Sequence, residues 1–384
     1  MSFKLHYFRE LSNPGTRDLR AVEIDSKFEF NKNETCPACA RKLEVLLILV
    51  GEDGTKVKIG ACDSCGYIGY MDRPTQKWLS NFYLEEWAVD RKEDFKSAEL
   101  QPRKEKVIEK AAGMLEGKNA TIFEVGSGKG EILREFNKLG FNKISGIENS
   151  RRLSEKVEKN IGVKVIVGSM ESDEHINAIG KKNLVISWHV IEHAFDTNKF
   201  LANISKLQDD GDILVLALPN AEAEPMVNTL FWLPHLHAFT KISLEKLLNK
   251  NGYELLFDDS KVSDEIIFFA KRSISPKTRL NSSGNYLEKY RKRFDDYFYM
   301  SALKDGAKYC FTWSPKTFHT SFQITSDSEM IDRTRLFFER LYYFFSARLW
   351  GKFSNHRSFV YSKIASERVP LEVRYNGKIK LLVR

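Results

Sequence analysis

The chain has 384 residues, 42% of them hydrophobic and 29% charged, which is enough for two or three domains with cores of their own. No apolar run approaches the ~20 residues of a membrane-spanning helix, and the opening "MSFKLHYFRE" lacks the roughly 7–15 residue apolar stretch of a secretory signal, so a cytoplasmic protein is expected. The net charge of +8 is uneven: residues 281–384 hold 19 Lys and Arg against 10 Asp and Glu, leaving the preceding residues near neutral.

In chain order, the first chemistry lies in the cysteines. Five are too few for a disulfide framework, and four of them form "CPAC" (Cys36, Cys39) and "CDSCG" (Cys62, Cys65), 22 residues apart. Each CxxC turn can place two thiolates on one metal, and two turns complete a tetrahedral site. The intervening "KLEVLLILVGEDGTKVKIGA" reads as a hairpin around "EDGT". A zinc ribbon over residues 1–90 is expected, with a structural Zn2+ because four thiolates leave no position for water. No βαβ pattern surrounds either pair, which argues against a thioredoxin-like redox role.

Next comes "TIFEVGSGKGEIL" (121–133). The apolar residues Ile122, Phe123 and Val125 read as a buried strand, Gly126, Gly128 and Gly130 as a tight turn, and Ile132, Leu133, Phe136 and Leu139 as a helix face. A phosphate loop would need GxxxxGK[S/T], and a dinucleotide fingerprint would need its third glycine where Glu131 stands. The pattern is instead E-x-G-x-G-x-G from Glu124 to Gly130. "KISGIENS" reads as a second strand ending in Glu148, about 20 residues beyond the glycines, where a carboxylate can take both ribose hydroxyls of an adenosine. "RRLSEKVEKNIG" then supplies a helix, "VKVIVGSMES" a third strand, "NLVISWHVIEHAFD" a fourth and "GDILVLALPN" a fifth. Strand and helix in alternation predict a parallel sheet covered on both faces, with ligands at the carboxyl ends of its strands.

"FEVGSGKG", "SWHVIEHAFDTNKFLANISKLQDDGDILVLALPN" and "HLHAFTKISLEKLLNKNGYELL", in this order, resemble the motifs of class I S-adenosylmethionine-dependent methyltransferases. The resemblance covers about residues 105–272, within a domain taken as 91–272. It implies an α/β, Rossmann-like core of seven strands, with "EIIFFAKR" as the last. S-adenosylmethionine would lie against the backbone of Gly126, Ser127, Gly128 and Gly130. Glu124 would orient its amino group, Glu148 would take the ribose, and Ser169 and Met170 would lie beside the adenine.

The acceptor side is expected around His189, His193, His235 and His237. His189 and His193 flank "VIE" at the end of strand four, and "PHLHAFT" follows strand five as a lid. A sugar hydroxyl needs a base or a metal near neutral pH, so His189, His193 and His237 are the candidate catalytic bases. Glu192 with a histidine is the alternative, as a divalent-metal site. The cysteine module, an aromatic stretch ("MDRPTQKWLSNFYLEEW") and this core together resemble methyltransferases of sugar and polysaccharide biosynthesis. The sugar C-methyltransferases of that group carry Tyr-x-Glu-His where this chain has "PHLH": His237 matches, but Leu236 replaces the glutamate and Pro234 the tyrosine. O-methylation of a nucleotide sugar or glycan is therefore expected ahead of carbon methylation. RNA methylation is the runner-up, and "LPNA" holds only part of the tetrad used for base N-methylation.

After a stretch read as a linker (271–285), residues 273–384 are expected to form a basic, aromatic α+β accessory domain. "TRLFFERLYYFFSARLW" (334–350) interleaves aromatics with Arg335, Arg340 and Arg348. Such a helix suits a glycan, an anionic membrane surface, RNA or a homodimer interface. Cys310 stands alone.

Overall fold

The computed structural model describes residues 2–5, 22–25, 30–50, 56–86, 100–223, 234–260, 264–281 and 284–290, and short strands between 309 and 383. At the N-terminus β1 (Ser2–Leu5) pairs with β2 (Val22–Asp25), and β3 (Phe30–Lys32) pairs with β7 (Asp72–Pro74). Between them β4 (Glu44–Val50), β5 (Lys56–Ala61) and β6 (Ile68–Tyr70) form an antiparallel meander. The hairpin read from the sequence is thus present as β4 and β5, and its "EDGT" turn lies outside the described residues. Helix α1 (Gln76–Asn81), capped by Thr75, runs directly into a π-helical turn at Phe82–Glu86.

The central unit then runs α2 (Pro102–Gly113), β8 (Ile122–Val125), α3 (Glu131–Lys138), β9 (Ile144–Glu148), α4 (Arg151–Ile161), β10 (Val165–Val167), α5 (Asp173–Ile179) and β11 (Leu184–Trp188). A 3₁₀ turn (Ile191–His193) leads to α6 (Thr197–Lys206), β12 (Ile213–Pro219), β13 (His237–Ala238), α7 (Lys241–Lys250), β14 (Tyr253–Asp258) and β15 (Glu265–Arg272). Ser150, Ser172, Asp196 and Thr240 start their helices by accepting first-turn amides.

Seven of these strands form one sheet in the order β10-β9-β8-β11-β12-β15-β14. The first five are parallel, and β15 lies antiparallel between β12 and β14. This is the Rossmann-like seven-stranded arrangement that the resemblance implies. Strand side chains alternate between the two faces. Ile122, Leu184, Ile186 and Val215 pack with α2 and α3, whereas Phe123, Val185, Leu214 and Leu216 pack with α5, α6 and α7. Both faces are apolar, so the strands read as near-continuous hydrophobic runs. On α6, Phe200, Leu201 and Ile204 are all 2% exposed or less, each burial contributing about 1.5–3 kcal/mol.

The cysteine module is built onto this core. Cys36, Cys62, Cys65, Tyr67 and Met71 share a buried cluster with Phe239 and Leu244. Strand β13, from the segment after β12, pairs antiparallel with β6 (His237↔Gly69, Ala238↔Ile68). The stretch read as a linker is also docked. The amides of Arg279 and Leu280 donate to the Glu245 carboxylate at 2.7 Å, Leu287 N–H donates to Asp63 Oδ1, and Tyr290 Oη donates to the Gly66 carbonyl. A serine-rich, polar composition reads as a free connector, but here the amides of Arg279 and Leu280 find a buried acceptor in Glu245.

Farther on, β16 (Tyr309–Phe311), β17 (Trp313–Ser314), β18 (His319–Ser321), β19 (Leu371–Tyr375) and β20 (Ile379–Val383) extend the module's sheet, with β20 antiparallel to β4. The helix read at 334–350, with Arg335, Arg340 and Arg348, lies outside the described residues. Among the described residues no helix is long and apolar enough to cross a membrane.

Candidate active site

The order in which the chain lays down its strands reverses between the parallel neighbours β8 and β11, whose carboxyl ends open a crevice of the kind that holds ligands in such sheets. Both strand tips carry residues singled out in the sequence.

At the end of β8 the glycine turn is held from below, where Gly126 N–H donates to the Ile147 carbonyl at 2.8 Å. Its last two glycines serve different ends. Gly130, at φ +73, sits so close to α4 that a Cβ would lie 2.6 Å from Ile161 Cδ1 and 3.0 Å from Val157. At Gly128, φ +52, a Cβ would meet nothing within 4 Å among the described residues. The open side of the turn is therefore at Gly128. Glu124, 3% exposed, lies beneath it with Oε2 unpartnered, and Ser127, 4% exposed, has an unpartnered Oγ. Burial pushes the Glu124 carboxyl well above the usual carboxylate range, against the pull of Lys104 and of the Leu133 amide. Two orphaned acceptors beside an open cradle fit a ligand that brings donors, as the ammonium of an amino-acid moiety does.

Glu148 at the tip of β9 is 9% exposed. Its Oε2 accepts Gly128 N–H and its Oε1 accepts Ser150 N–H, both at 2.9 Å. Burial raises its pKa while these amides oppose the rise. The carboxylate thus fixes the shape of the glycine turn and keeps lone pairs for a further partner. Ser169 is half-buried and its Oγ accepts Glu171 N–H, whereas Met170 is 2% exposed in the core, its carbonyl accepting from Asn203 Nδ2. Of these two, Ser169 is the nearer to the surface.

The tip of β11 carries the histidines. His189 has φ +54, a left-handed conformation that is uncommon and strained for a residue with a Cβ. Its Nε2 lies 2.5 Å from Glu265 Oε1 and its Nδ1 lies 3.3 Å from Glu192 Oε1. Burial pulls its pKa down, but the two carboxylates outweigh this and push it up to about 9. Arg103 in turn pairs with Glu265 at 2.9 Å. For Glu192, burial acts upward but His189, His193 and His235 outweigh it and hold the carboxyl down at about 2. His193 Nδ1 donates to the Pro234 carbonyl at 3.1 Å, and its ring lies 4.6 Å from that of His235 and 5.6 Å from that of Tyr83.

His237 departs from its expected role as a base. It is 5% exposed, with Nδ1 2.5 Å from Tyr67 Oη and Nε2 2.8 Å from the Ala194 carbonyl. Both ring nitrogens are engaged inside the protein, so His237 joins the module to the core. His189, Glu192, His193 and His235 do come together.

The N-terminal module caps this mouth through Leu79, Phe82 and Tyr83, which cluster with Leu236 and Phe195. Arg73 lies 5.1 Å over the Phe195 ring. Sequence reading missed Arg103, Glu265, Tyr67 and Tyr83. Only α2, with Pro102 at its start and Val107, Ile108 and Ala111 on one buried face, left a local signal.

The four cysteines gather in one place, every sulfur within 4.8 Å of the others, at 3.6 Å for Cys36–Cys65, 3.4 Å for Cys39–Cys62 and 3.8 Å for Cys39–Cys65. A tetrahedron of thiolates at 2.3 Å from one ion has edges of about 3.8 Å. The two knuckles match: Ala40 N–H donates to the Cys36 carbonyl and Gly66 N–H to that of Cys62, with Ala40 at φ +59 and Gly66 at φ +73.

Residues 97–256 match the family described as a methyltransferase domain. That segment contains the glycine turn, Glu148 and the β11 tip. Over that segment the enzyme carries a methyltransferase domain. Similar solved structures include the cyclase SpnF (13% identity, TM-score 0.39, covering 48% of this chain and 86% of that one). Another is an S-adenosylmethionine-dependent methyltransferase from Mesorhizobium loti (12%, 0.36, 43% and 96%). A third is magnesium protoporphyrin IX methyltransferase ChlM from Synechocystis PCC 6803 with bound SAH (13%, 0.37, 47% and 91%). Comparison with curated proteins found no match.

Proposed function

We propose that the enzyme methylates a hydroxyl oxygen of a sugar, presented as a nucleotide sugar or a glycan. The observation that carries this reading is the adjacency of two half-sites on neighbouring strand tips. One is a cradle with orphaned acceptors at Glu124 and Ser127; the other is a carboxylate–imidazole cluster at His189, Glu192 and His193. In this reading Gly126, Ser127, Gly128 and Gly130 shape the cradle, Glu124 receives the cofactor's ammonium, Glu148 the ribose, and Ser169 flanks the adenine. Bound S-adenosylmethionine supplies a methyl group already activated on sulfur, so the protein's task is alignment, exclusion of water and removal of the acceptor's proton. Tyr83 and Phe195 roof the mouth with aromatic surface, and the histidine cluster offers polar partners, a combination that suits a polyhydroxylated acceptor. The four cysteines hold a structural Zn2+, with no open position for substrate.

The test is incubation of the full chain with isotopically labelled S-adenosylmethionine and a panel of nucleotide sugars and oligosaccharides, with the methylated atom located by mass spectrometry and NMR. A methyl on sugar oxygen is expected. A methyl on carbon would replace the reading by C-methylation, and a labelled RNA base would replace the acceptor class.

A further inference from the structure

Alignment and exclusion of water do not explain why a carboxylate is buried at the tip of β11. Glu192 is 1% exposed, and among the described residues neither of its oxygens has a hydrogen-bond partner. His189 Nδ1 approaches Oε1 at 3.3 Å without the alignment of a hydrogen bond, and is itself held by Glu265. Imidazoles face the carboxylate, but neither oxygen accepts a hydrogen bond, and buried acceptors without one point to a partner that belongs against them.

The surrounding chemistry says what. Glu192, His193 and His235 each offer one ligand atom, and these atoms lie within 4.8 Å of one another. The tautomer of His193 is fixed for the purpose. The Pro234 carbonyl can only accept, so Nδ1 carries the proton and Nε2 presents its lone pair, 4.0 Å from Glu192 Oε1. Metal-ligating histidines characteristically donate their other N–H to a carbonyl or carboxylate in this way. Bonds of about 2.0–2.2 Å from imidazole nitrogen and carboxylate oxygen let one ion bridge atoms about 4 Å apart.

We propose that Glu192, His193 and His235 bind a divalent first-row transition ion. Two imidazoles and one carboxylate favour Zn2+, Fe2+, Co2+ or Mn2+ over Mg2+ or Ca2+, which prefer all-oxygen sites. This site is separate from the four-cysteine cluster, and three protein ligands leave positions open. An acceptor hydroxyl oxygen occupying one of them gives up its proton more readily. That last use of the ion rests on the methyl-transfer reading; the binding of the ion does not.

Cobalt distinguishes the two sites, because a thiolate site gives a sulfur-to-metal charge-transfer band and a histidine–carboxylate site gives ligand-field bands alone. Titration of the purified full chain with Co2+ should show one equivalent with ligand-field absorption and no sulfur band. Its affinity should fall at least about tenfold in Glu192→Gln and in His235→Ala. S-adenosylhomocysteine binding, measured by calorimetry on the same samples, should be retained in both variants and shows that they are folded. Only thiolate-type absorption, or equal Co2+ affinity in the wild type and both variants, would overturn the site. Failure of the wild type to bind S-adenosylhomocysteine would instead remove the methyl-transfer reading and leave the cobalt result standing.

Discussion

Tyr67 Oη and His237 Nδ1, 170 residues apart in the chain, lie 2.5 Å from each other in the interior. Because His237 Nε2 faces the Ala194 carbonyl at 2.8 Å, that nitrogen carries the proton, and the tyrosine hydroxyl donates to Nδ1. Burial pulls the His237 pKa down to about 3, with Arg73 acting the same way, so the ring stays neutral. The pair joins the cysteine module to the segment after β12. Tyr67→Phe leaves Nδ1 buried without a donor and should cost about 1–3 kcal/mol of stability. Chemical denaturation measures this; an unchanged unfolding midpoint would show that the joint carries no weight.

The cysteine cluster has a reach beyond its own knuckles. The Cys65 carbonyl accepts from Thr240 Oγ1 at 2.6 Å, and the Gly66 carbonyl accepts from Tyr290 Oη. The purified chain should contain zinc at one equivalent in this cluster. Cys65→Ser should lose it and loosen the start of α7 together with the module. Metal analysis checks the first statement, and hydrogen exchange at residues 241–250 checks the second.

Two glycines of one turn should fail differently. Gly128→Val places its side chain in open space, so the fold survives with a modest strain penalty of about 1–2 kcal/mol and cofactor affinity is lost. Gly130→Val drives into Val157 and Ile161 and should destabilise the whole domain. Calorimetry with S-adenosylhomocysteine alongside thermal denaturation separates the two; matching behaviour would mean that the open side has been misassigned.

His189 is the histidine whose backbone is strained and whose side chain remains 43% exposed. His189→Asn keeps a residue tolerant of φ +54. Turnover should fall at least about tenfold, because the charged imidazole that holds Glu192 and Glu265 in place at the acceptor mouth is lost, with cofactor affinity nearly unchanged. A KM increase at constant kcat would mark it as a binding residue instead.

Much of this was legible in the sequence where the signal is local. Ile122, Phe123 and Val125 before three glycines, Glu148 some 20 residues on, and two CxxC turns are short-range patterns that backbone geometry imposes. The pairings that shape the acceptor side are not local. His189 meets Glu265 across 76 residues and Tyr67 meets His237 across 170, and no periodicity encodes which distant partner an imidazole will find. His237 illustrates the limit. Its place in a histidine-rich segment suggested chemistry, yet its two nitrogens are used up by Tyr67 and Ala194. The docking of Arg279 and Leu280 on Glu245 was hidden for a related reason, since the composition around them resembles that of any solvated connector.

The pairing of β13 with β6 bears on how the chain is made. During synthesis the meander of β4, β5 and β6 leaves the ribosome long before His237 and Ala238 exist. In that interval one side of β6 offers unpaired amides and carbonyls, a template for another strand. The nascent polypeptide therefore carries an aggregation hazard between about residue 70 and residue 238 that the finished enzyme does not. A fragment ending near residue 90 would keep it permanently, and would be a poor unit for expression on its own.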